Sequence, residues 1–276
     1  MKVGVVADYA IGYNFSGMYL QLLRVLEGTR KLGVDASLYD MWHCADAAYD
    51  LLHFYGINYS LSHLAAIATS LHIPYVVSPN TWPGYNWLIQ RFLAHIRLPK
   101  HILVSRRALE REILLRARGI IVNSTAELRR LSKVYGIGKD LFRVIPNGIE
   151  SQFRAGDPDL FKAKFGLTSR FVLTVGQFGQ PGKNHLRLLQ AWDSGMPMLV
   201  MVGSAAPGPY AERCKKLMTQ LSNVVWVGPI PHDSDLLRSA YKGCSAFVLP
   251  SIAETTGLSA LEAAVSGAPV VVTERG

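Results

Sequence analysis

The sequence predicts an α/β protein of two domains, each built on a doubly wound parallel sheet. Short apolar runs alternate with helix-length amphipathic segments along most of the chain, which is the pattern of parallel sheets connected by helices. The apolar runs are continuous rather than alternating, as expected for strands covered on both faces. The alternation breaks once, and 276 residues are enough for two cores, since a typical domain has about 100–150 residues.

Each predicted domain contains five strands. The candidates are residues 3–7, 35–39, 51–54, 74–78 and 119–123 in the first domain, and residues 171–176, 198–203, 223–228, 246–251 and 269–273 in the second. Amphipathic segments predict helices over residues 17–32, 124–135, 184–192, 210–221, 234–242 and 256–265. STAE at residues 124–127 predicts a capping box, with Ser124 accepting from the first turn and Glu127 reaching back.

The boundary is predicted in VIPNGIESQFRAGDPD, residues 144–159, where two prolines and two glycines indicate a hinge. The domains are therefore expected over residues 1–148 and 149–276. Ligands of α/β sheets bind at the carboxyl ends of the strands, so a site is expected in the cleft between the domains.

Composition limits the classes of partner and location. The net charge of +9 favours anionic partners, but the arginines are spread over both domains without an RNA-binding motif, which argues against nucleic acid. The amino terminus does not resemble a signal peptide, and no apolar run approaches the roughly 20 residues that span a bilayer. Cys44, Cys214 and Cys244 lack metal or redox spacing. A cytoplasmic protein with reduced thiols and no bound metal is predicted.

The segment ETTGLSALE, residues 254–262, places two glutamates around the start of a predicted helix. Leu258, Leu261 and Val265 recur at helical spacing and predict its core face, with Glu262 at the margin. The free amides near Thr256, Gly257 and Leu258 can bind a phosphate. About two turns along, Glu262 can accept from both hydroxyls of an attached ribose, and Glu254 lies nearer the other side of a diphosphate. Alternatively, both glutamates simply favour the positive helix end, which explains Glu254 better than Glu262.

The loop GQFGQPGKN, residues 176–184, joins a predicted strand to a helix. Lys183 lies just before that helix, where a cation opposes the macrodipole unless an anion is bound, and Asn184 is a predicted N-cap. Such a local conflict is typical of a functional site. A solvated lysine remains the alternative.

The carboxyl-terminal sequence LPSIAETTGLSALEAAVSGAPVVVTERG resembles the signature of glycosyltransferase family 4, and IPYVVSP, RARGIIVNSTAEL, VIPNGIESQF and VVWVGPIPHDSDLLRSAYKGCSAFVLPS resemble its earlier blocks in order. Members are retaining, nucleotide-sugar-dependent enzymes with the GT-B fold, in which two Rossmann-like domains face a central cleft. The resemblance implies transfer of a hexose from a nucleoside diphosphate sugar, with UDP or GDP expected, to a hydroxyl of a glycan, a lipid-linked compound or a small molecule, as in polysaccharide biosynthesis. It implies no metal or other cofactor.

The resemblance also implies residue roles. Lys183 neutralises the departing diphosphate, Glu254 orients the donor sugar and Glu262 holds the ribose, while a diphosphate oxygen takes the acceptor's proton. Gln177 stands where the family usually has an arginine. Gly17 lies in IGYNFSGMY, residues 11–19, which resembles the family's glycine-rich loop near the diphosphate.

The acceptor side is predicted in SPNTWPGYNW, residues 78–87. Asn80 stands where relatives often carry histidine or arginine. The rings of Trp82, Tyr85 and Trp87 suit sugar faces, although anchoring of the loop to the core explains them equally well.

The basic segment RRALEREILLRAR, residues 106–118, predicts an amphipathic helix. It is either a solvated surface helix or a peripheral contact with the inner membrane surface, where lipid-linked acceptors reside.

Family members continue beyond the glycine turn that ends this sequence, so the second domain is expected to be incomplete. Two alternatives stay open. One is a nucleotide-sugar-binding protein without catalysis, and the other is a different GT-B enzyme, such as a sugar-nucleotide epimerase.

Overall fold

The computed structural model describes residues 1–8, 17–42, 49–82, 86–96 and 105–274. The chain divides into two compact units, residues 1–147 and 148–276. The division falls inside the segment in which the sequence predicts a hinge.

The amino-terminal unit is built on one parallel sheet. Its strands are β1 (Lys2–Ala7), β2 (Asp35–Leu38), β3 (Leu51–Tyr55), β4 (Tyr75–Ser78), β5 (Gly119–Val122) and β6 (Phe142–Val144). Within the described residues they form a six-stranded sheet in the order β2-β1-β3-β4-β5-β6, and every neighbouring pair is parallel. The order reverses between β1 and β3.

Helices cover both faces of this sheet. They are α1 (Gly17–Lys31), α2 (Ser62–Ser70), α3 (Trp87–His95), α4 (Arg106–Leu115) and α5 (Thr125–Tyr135). Leu22 and Leu26 of α1 pack with Val3 and Val5 on one face. Residues of the other four helices pack on the opposite face in a second, larger core cluster. Coverage on both faces is the reason that these strands read as continuous apolar runs.

The carboxyl-terminal unit repeats this plan. Its strands are β7 (Phe171–Val175), β8 (Met198–Val202), β9 (Val224–Gly228), β10 (Ala246–Leu249) and β11 (Val270–Val272). Its helices are α6 (Pro158–Phe165), α7 (His185–Gln190), α8 (Pro209–Met218), α9 (Asp235–Gly243) and α10 (Leu258–Val265). In the described part of the unit the five strands are all parallel, in the order β11-β10-β7-β8-β9. This is the order of dinucleotide-binding sheets, with its switch point between β7 and β10.

The ten strands and six helices predicted from periodicity are all present, with ends that differ by three residues or fewer. The structure adds β6, α2, α3 and α6. Helix α6 begins inside the predicted hinge, because Asp157 accepts from Asp159 N at 2.9 Å as an N-cap and Pro158 occupies the first helical position. The same residues also favour turns, which is why the sequence alone suggested a linker.

Helix α4 (Arg106–Leu115) covers most of the basic segment RRALEREILLRAR. It ends at Leu115, and its apolar residues Ile113 and Leu114 are completely buried in the core. Arg107 contributes to the fold instead, since its Nη1 lies 2.6 Å from Oε2 of the buried Glu110. Ile113 and Leu114 therefore pack in the core, which favours the surface-helix alternative. No helix in the described ranges is long and apolar enough to cross a membrane.

Candidate functional site

The loops that follow β7 and β10 meet at the switch point of the carboxyl-terminal sheet. Asn184 Nδ2 donates to the Pro250 carbonyl at 3.1 Å, and Ile252 N donates to the Gly182 carbonyl at 3.0 Å. Adjacent strands whose connections leave in opposite directions open a crevice at their carboxyl ends, where sheets of this type bind ligands. The two loops thus form one connected surface at that position.

Asn184 occupies the N-cap position of α7 that the sequence predicts, but its side chain does not cap the helix. It precedes α7, but its backbone is left-handed, with φ 56°, and its side chain makes no capping hydrogen bond. The side-chain amide is used for the bond to Pro250 instead. Asparagine tolerates this backbone conformation better than most residues, so Asn184 serves to join the two loops.

Lys183 and Glu254 are brought together by this junction. Lys183 Nζ lies 2.6 Å from Glu254 Oε1, although the residues are 71 positions apart in the chain. Their side chains keep 25% and 15% of their exposed surface, so the pair is partly open to solvent. A lysine ammonium has three donors and a carboxylate has about four acceptor positions. The pair can therefore bind a further anion at Lys183 without losing its mutual contact.

The amino end of α10 comes four residues after Glu254 in the chain. Gly257 precedes the helix with φ 64° and provides no side-chain cap for its first amides. A Cβ at this position would lie 3.2 Å from Leu249 Cδ2, so glycine is needed for both backbone and packing. Thr256 and Leu258 flank it and are half-buried. The result is a helix end at which an anion can reach backbone amides.

Glu262 is buried within α10. Its Oε2 accepts from the Tyr241 hydroxyl at 2.6 Å, and its Oε1 lies 2.8 Å from His232 Nε2. The predicted core face was wrong in one respect, since Leu261 is 38% exposed while Ala260 and Glu262 are buried. Alanine side chains let this helix lie close to its neighbours, and the close packing turns the carboxylate inward toward Tyr241.

The remaining predicted donor residues lie at the surface. Gln177 is exposed, one residue after Gly176 at the end of β7. Gly17 is the exposed first residue of α1. Residues 11–16 of the predicted glycine-rich loop lie outside the described ranges. The structure therefore gives the positions of Gln177 and Gly17, and their roles in donor binding stay predictions.

The carboxyl edge of the amino-terminal sheet carries a network of uncharged amides. Asn80, after β4, has φ 45°, and its Oδ1 accepts from Asn123 Nδ2 at 2.9 Å. Gln21 Nε2 donates to Asn123 Oδ1 at 3.2 Å and also to Asn147 Oδ1. Asn80 Nδ2 is buried and makes no hydrogen bond of good geometry in the described part of the chain, although the Asn80 side chain interacts with the Tyr55 hydroxyl. The network thus joins the ends of β4, β5 and β6.

Glu127 lies beneath this network and has no exposed surface. Half of the predicted capping box is present, since Ser124 Oγ accepts from Glu127 N at 3.1 Å. The returning bond is shifted by one residue, because Glu127 Oε2 accepts from Asn123 N at 2.8 Å rather than from Ser124 N. Burial raises the pKa of Glu127 to about 7, against the lowering effect of these backbone bonds. The sequence located Glu127 as a cap but gave no sign of its burial.

The aromatic residues of the predicted acceptor loop have separate positions. Trp82 is half-buried, with the Arg130 guanidinium 5.8 Å from its ring centroid. Trp87 begins α3 and packs against the core, with Lys133 Nζ 3.6 Å from its ring centroid. Tyr85 lies outside the described residues. Trp87 is thus explained as an anchor of the loop. Trp82, two residues after Asn80, stays a predicted contact for the acceptor.

Among the described residues, no group of three or more histidine, cysteine, aspartate or glutamate side chains is arranged to hold a metal ion.

Two protein-family models together match most of both units. A family model described as Glycosyltransferase Family 4 matches residues 22–153, and one described as Glycosyl transferases group 1 matches residues 169–276. The chain belongs to glycosyltransferase family 4. The match to two consecutive models, one for each unit, agrees with the order of the sequence blocks.

Relatives of this family 4 chain include two named transferases. A D-inositol 3-phosphate glycosyltransferase of Nocardia farcinica is 29% identical over 188 residues, which cover 63% of this chain and 41% of the relative. The sulfoquinovosyl transferase SQD2 of Arabidopsis thaliana is 28% identical over 240 residues, covering 82% of this chain and 43% of the relative. The chain thus spans about two fifths of the length of these relatives.

Solved structures show the fold of the family 4 chain. Sucrose-phosphate synthase from Thermosynechococcus elongatus has a TM-score of 0.76 at 20% identity, covering 100% of this chain and 82% of the other. Anabaena HepE in complex with UDP-glucose has a TM-score of 0.75 at 17% identity, covering 100% and 81%. The two parallel-sheet α/β units are those of the GT-B fold.

Proposed function

We propose that this chain binds a nucleoside diphosphate sugar at the carboxyl-terminal unit and transfers its hexose, with retained anomeric configuration, to an acceptor hydroxyl. The observation that carries the proposal is the contact between Lys183 and Glu254 at the switch point, next to the uncapped start of α10. Membership of family 4 supports it. HepE is solved in complex with UDP and with UDP-glucose, which makes a UDP-sugar the first donor to test.

Each part of the donor has a matching group on this surface. Lys183 and the amides near Thr256, Gly257 and Leu258 would bind the diphosphate, since a cation and a helix amino end both attract anions. Glu254 would then orient the hexose through its second oxygen. Glu262 would accept from the ribose hydroxyls with the acceptor positions that Tyr241 and His232 leave open.

The transfer needs no protein nucleophile. The bond between the anomeric carbon and the diphosphate oxygen breaks, and the acceptor oxygen bonds to that carbon from the same face. The departing diphosphate oxygen takes the acceptor's proton. Lys183 would stabilise the charge that develops on the diphosphate, and preorganised electrostatic stabilisation of this kind is often the largest catalytic contribution.

The acceptor is proposed to bind at the edge of the amino-terminal sheet. The Asn80 side-chain amide can hydrogen-bond an acceptor hydroxyl, and Trp82 can contact a sugar face. A glycan or a lipid-linked acceptor fits this chemistry. An asparagine amide cannot act as a base near neutral pH, so the proton of the acceptor hydroxyl would go to the diphosphate oxygen.

The test starts with donor binding. Thermal unfolding is measured with UDP-, GDP- and ADP-sugars, because a ligand at 100 times its Kd adds about 2.7 kcal/mol to the free energy of unfolding. Release of nucleoside diphosphate is then followed with and without candidate acceptors. We expect one class of nucleotide sugar to stabilise the protein and its turnover to require an acceptor. Absence of stabilisation by all three classes would contradict the proposal.

A second candidate is nucleotide-sugar binding without transfer. It is favoured by Gln177, which is exposed at the loop opening and brings no charge where an arginine is usual in the family. This candidate predicts donor binding with no acceptor-dependent release. Turnover with any acceptor eliminates it.

A further inference from the structure

We propose that His232 is a positioning residue that fixes the Glu262 carboxylate for recognition of the donor ribose. This inference rests on the proposed function, because it concerns the nucleotide-binding side of the same site. Neither His232 nor Glu150 was singled out by its sequence pattern.

The three side chains form a line from the carboxylate of α10 to the segment that opens the carboxyl-terminal unit. His232, in the loop after β9, places Nε2 at 2.8 Å from Glu262 Oε1. Its Nδ1 lies 3.9 Å from Glu150 Oε2. A carboxylate only accepts hydrogen bonds, so Nε2 carries the proton in the bond to Glu262.

The ring of His232 is held by packing as well as by its nitrogens. The buried Phe153 ring meets it edge-on, with centroids 5.2 Å apart and planes at 69°. The carbonyl of Phe153 accepts from Ser266 Oγ at 2.8 Å, directly after α10. The short segment that carries Glu150 and Phe153 is therefore bound to the helix of Glu262 at a second point, which limits movement of the imidazole.

The other oxygen of Glu262 has a donor that cannot be replaced by solvent. Tyr241 has no exposed surface, and burial together with the Glu262 charge raises the pKa of its hydroxyl well above the ordinary value. Tyr241 therefore remains protonated and donates at 2.6 Å. His232 differs, because its side chain keeps 18% of its surface. It is the donor at the margin of the buried pair, where a ligand can approach.

Two fixed donors set the rotation of the carboxylate before any ligand binds. A ribose offers two neighbouring hydroxyls, and both can be accepted only if the carboxylate plane is correctly oriented. Preorganisation of this kind lowers the entropic cost of binding. Removal of His232 would leave Glu262 held at one oxygen only, so the contribution of the ribose hydroxyls should fall while the diphosphate contacts remain.

The experiment measures preference for ribose rather than affinity alone. The nucleoside diphosphate that binds best among UDP, GDP and ADP is titrated against its 2′-deoxy analogue by calorimetry. We expect wild type to prefer the ribose form about 10- to 100-fold, since a hydrogen bond to a charged group contributes about 1.5–3 kcal/mol and each 1.4 kcal/mol is a factor of ten in Kd. His232→Ala and the bulkier His232→Phe should reduce this ratio to near one. His232→Gln, which retains a side-chain N–H near the position of Nε2, should restore most of it.

A matched control lies in the same loop. Asp233 is exposed, and Asp233→Asn should leave the ratio unchanged. A purely structural role for His232 predicts equal weakening of both nucleotides, so an unchanged ratio in His232→Phe would overturn the inference. If no nucleoside diphosphate binds wild type, the proposed function fails first and this inference fails with it.

Discussion

The carboxyl edges of the two sheets share a parallel architecture and differ in charge. At the amino-terminal edge, Asn80 and Asn123 form part of a network of uncharged amides above Glu127, whose pKa burial raises to about 7. At the carboxyl-terminal edge, Lys183 and Glu254 form an ion pair at the switch point. The same scaffold thus carries ionic chemistry on one unit and amide chemistry on the other. This division suits an anionic donor and a hydroxyl acceptor.

The largest expected effect is on the charged edge. Lys183→Ala removes the cation that would stabilise the departing diphosphate, and loss of one such group typically lowers kcat about 10²- to 10³-fold. Acceptor-dependent release of nucleoside diphosphate provides the measurement. Arg187→Ala is the control, because Arg187 is exposed on α7 in the next turn. A fall of less than threefold in Lys183→Ala would mean that the ion pair is structural only.

The neutral edge is tested by pH. The pKa of Glu127 is raised from 4.5 to about 7 in the folded protein, so the native state binds more protons than the unfolded chain between these values. The free energy of unfolding should therefore fall as pH rises from about 4.5 to about 7, by up to about 3 kcal/mol.

Glu127→Gln should remove this part of the pH dependence, while its amide oxygen can still accept from Asn123 N. Urea unfolding at pH 5 and pH 8 compares the two proteins, and all other titrating groups cancel in the difference. Equal pH dependence in both proteins would show that Glu127 is ionised when folded, and that the neutral edge is in fact charged.

A smaller effect is expected at the start of α10. Gly257→Ala places a Cβ at positive φ and 3.2 Å from Leu249 Cδ2, which should cost about 1–2 kcal/mol. Calorimetry should show a Tm lower by a few degrees. Gly182→Ala, in the neighbouring loop, adds a methyl group that meets nothing within 4 Å and serves as the control. An unchanged Tm in Gly257→Ala would show that this helix end rearranges easily.

The smallest effect is expected from metal removal. The charge at the carboxyl-terminal edge is supplied by side chains and helix amides, so treatment with EDTA should leave kcat within experimental error. Activity is compared before treatment, after treatment and after addition of Mg²⁺ or Mn²⁺. Loss on chelation with recovery on addition would assign the neutralising role to a cation rather than to Lys183.

The sequence predicted most of the strands and helices in their order along the chain, because buried parallel strands leave a continuous apolar signal. It did not predict β6, a strand of three residues, or α6, whose Asp157 and Pro158 favour turns and helix starts alike. Short elements depend on tertiary pairing more than on local pattern, so their signal is weak.

The candidate site was only partly predictable for the same physical reason. The loops of Lys183 and Glu254 were recognisable locally, and the fold determines their contact across 71 positions. The inward turn of Glu262 depends on Tyr241 and His232, which come from distant elements. Leu261 shows the limit of periodicity, because an exposed leucine and a buried glutamate in one helix reverse the usual pattern.

The most direct test of the central claim is a crystal structure of the protein with a bound nucleoside diphosphate. We predict that Lys183 Nζ and the first amides of α10 lie within hydrogen-bond distance of the diphosphate, with the ribose hydroxyls on Glu262. A nucleotide bound elsewhere, or a ribose that makes no contact with Glu262, would contradict this assignment.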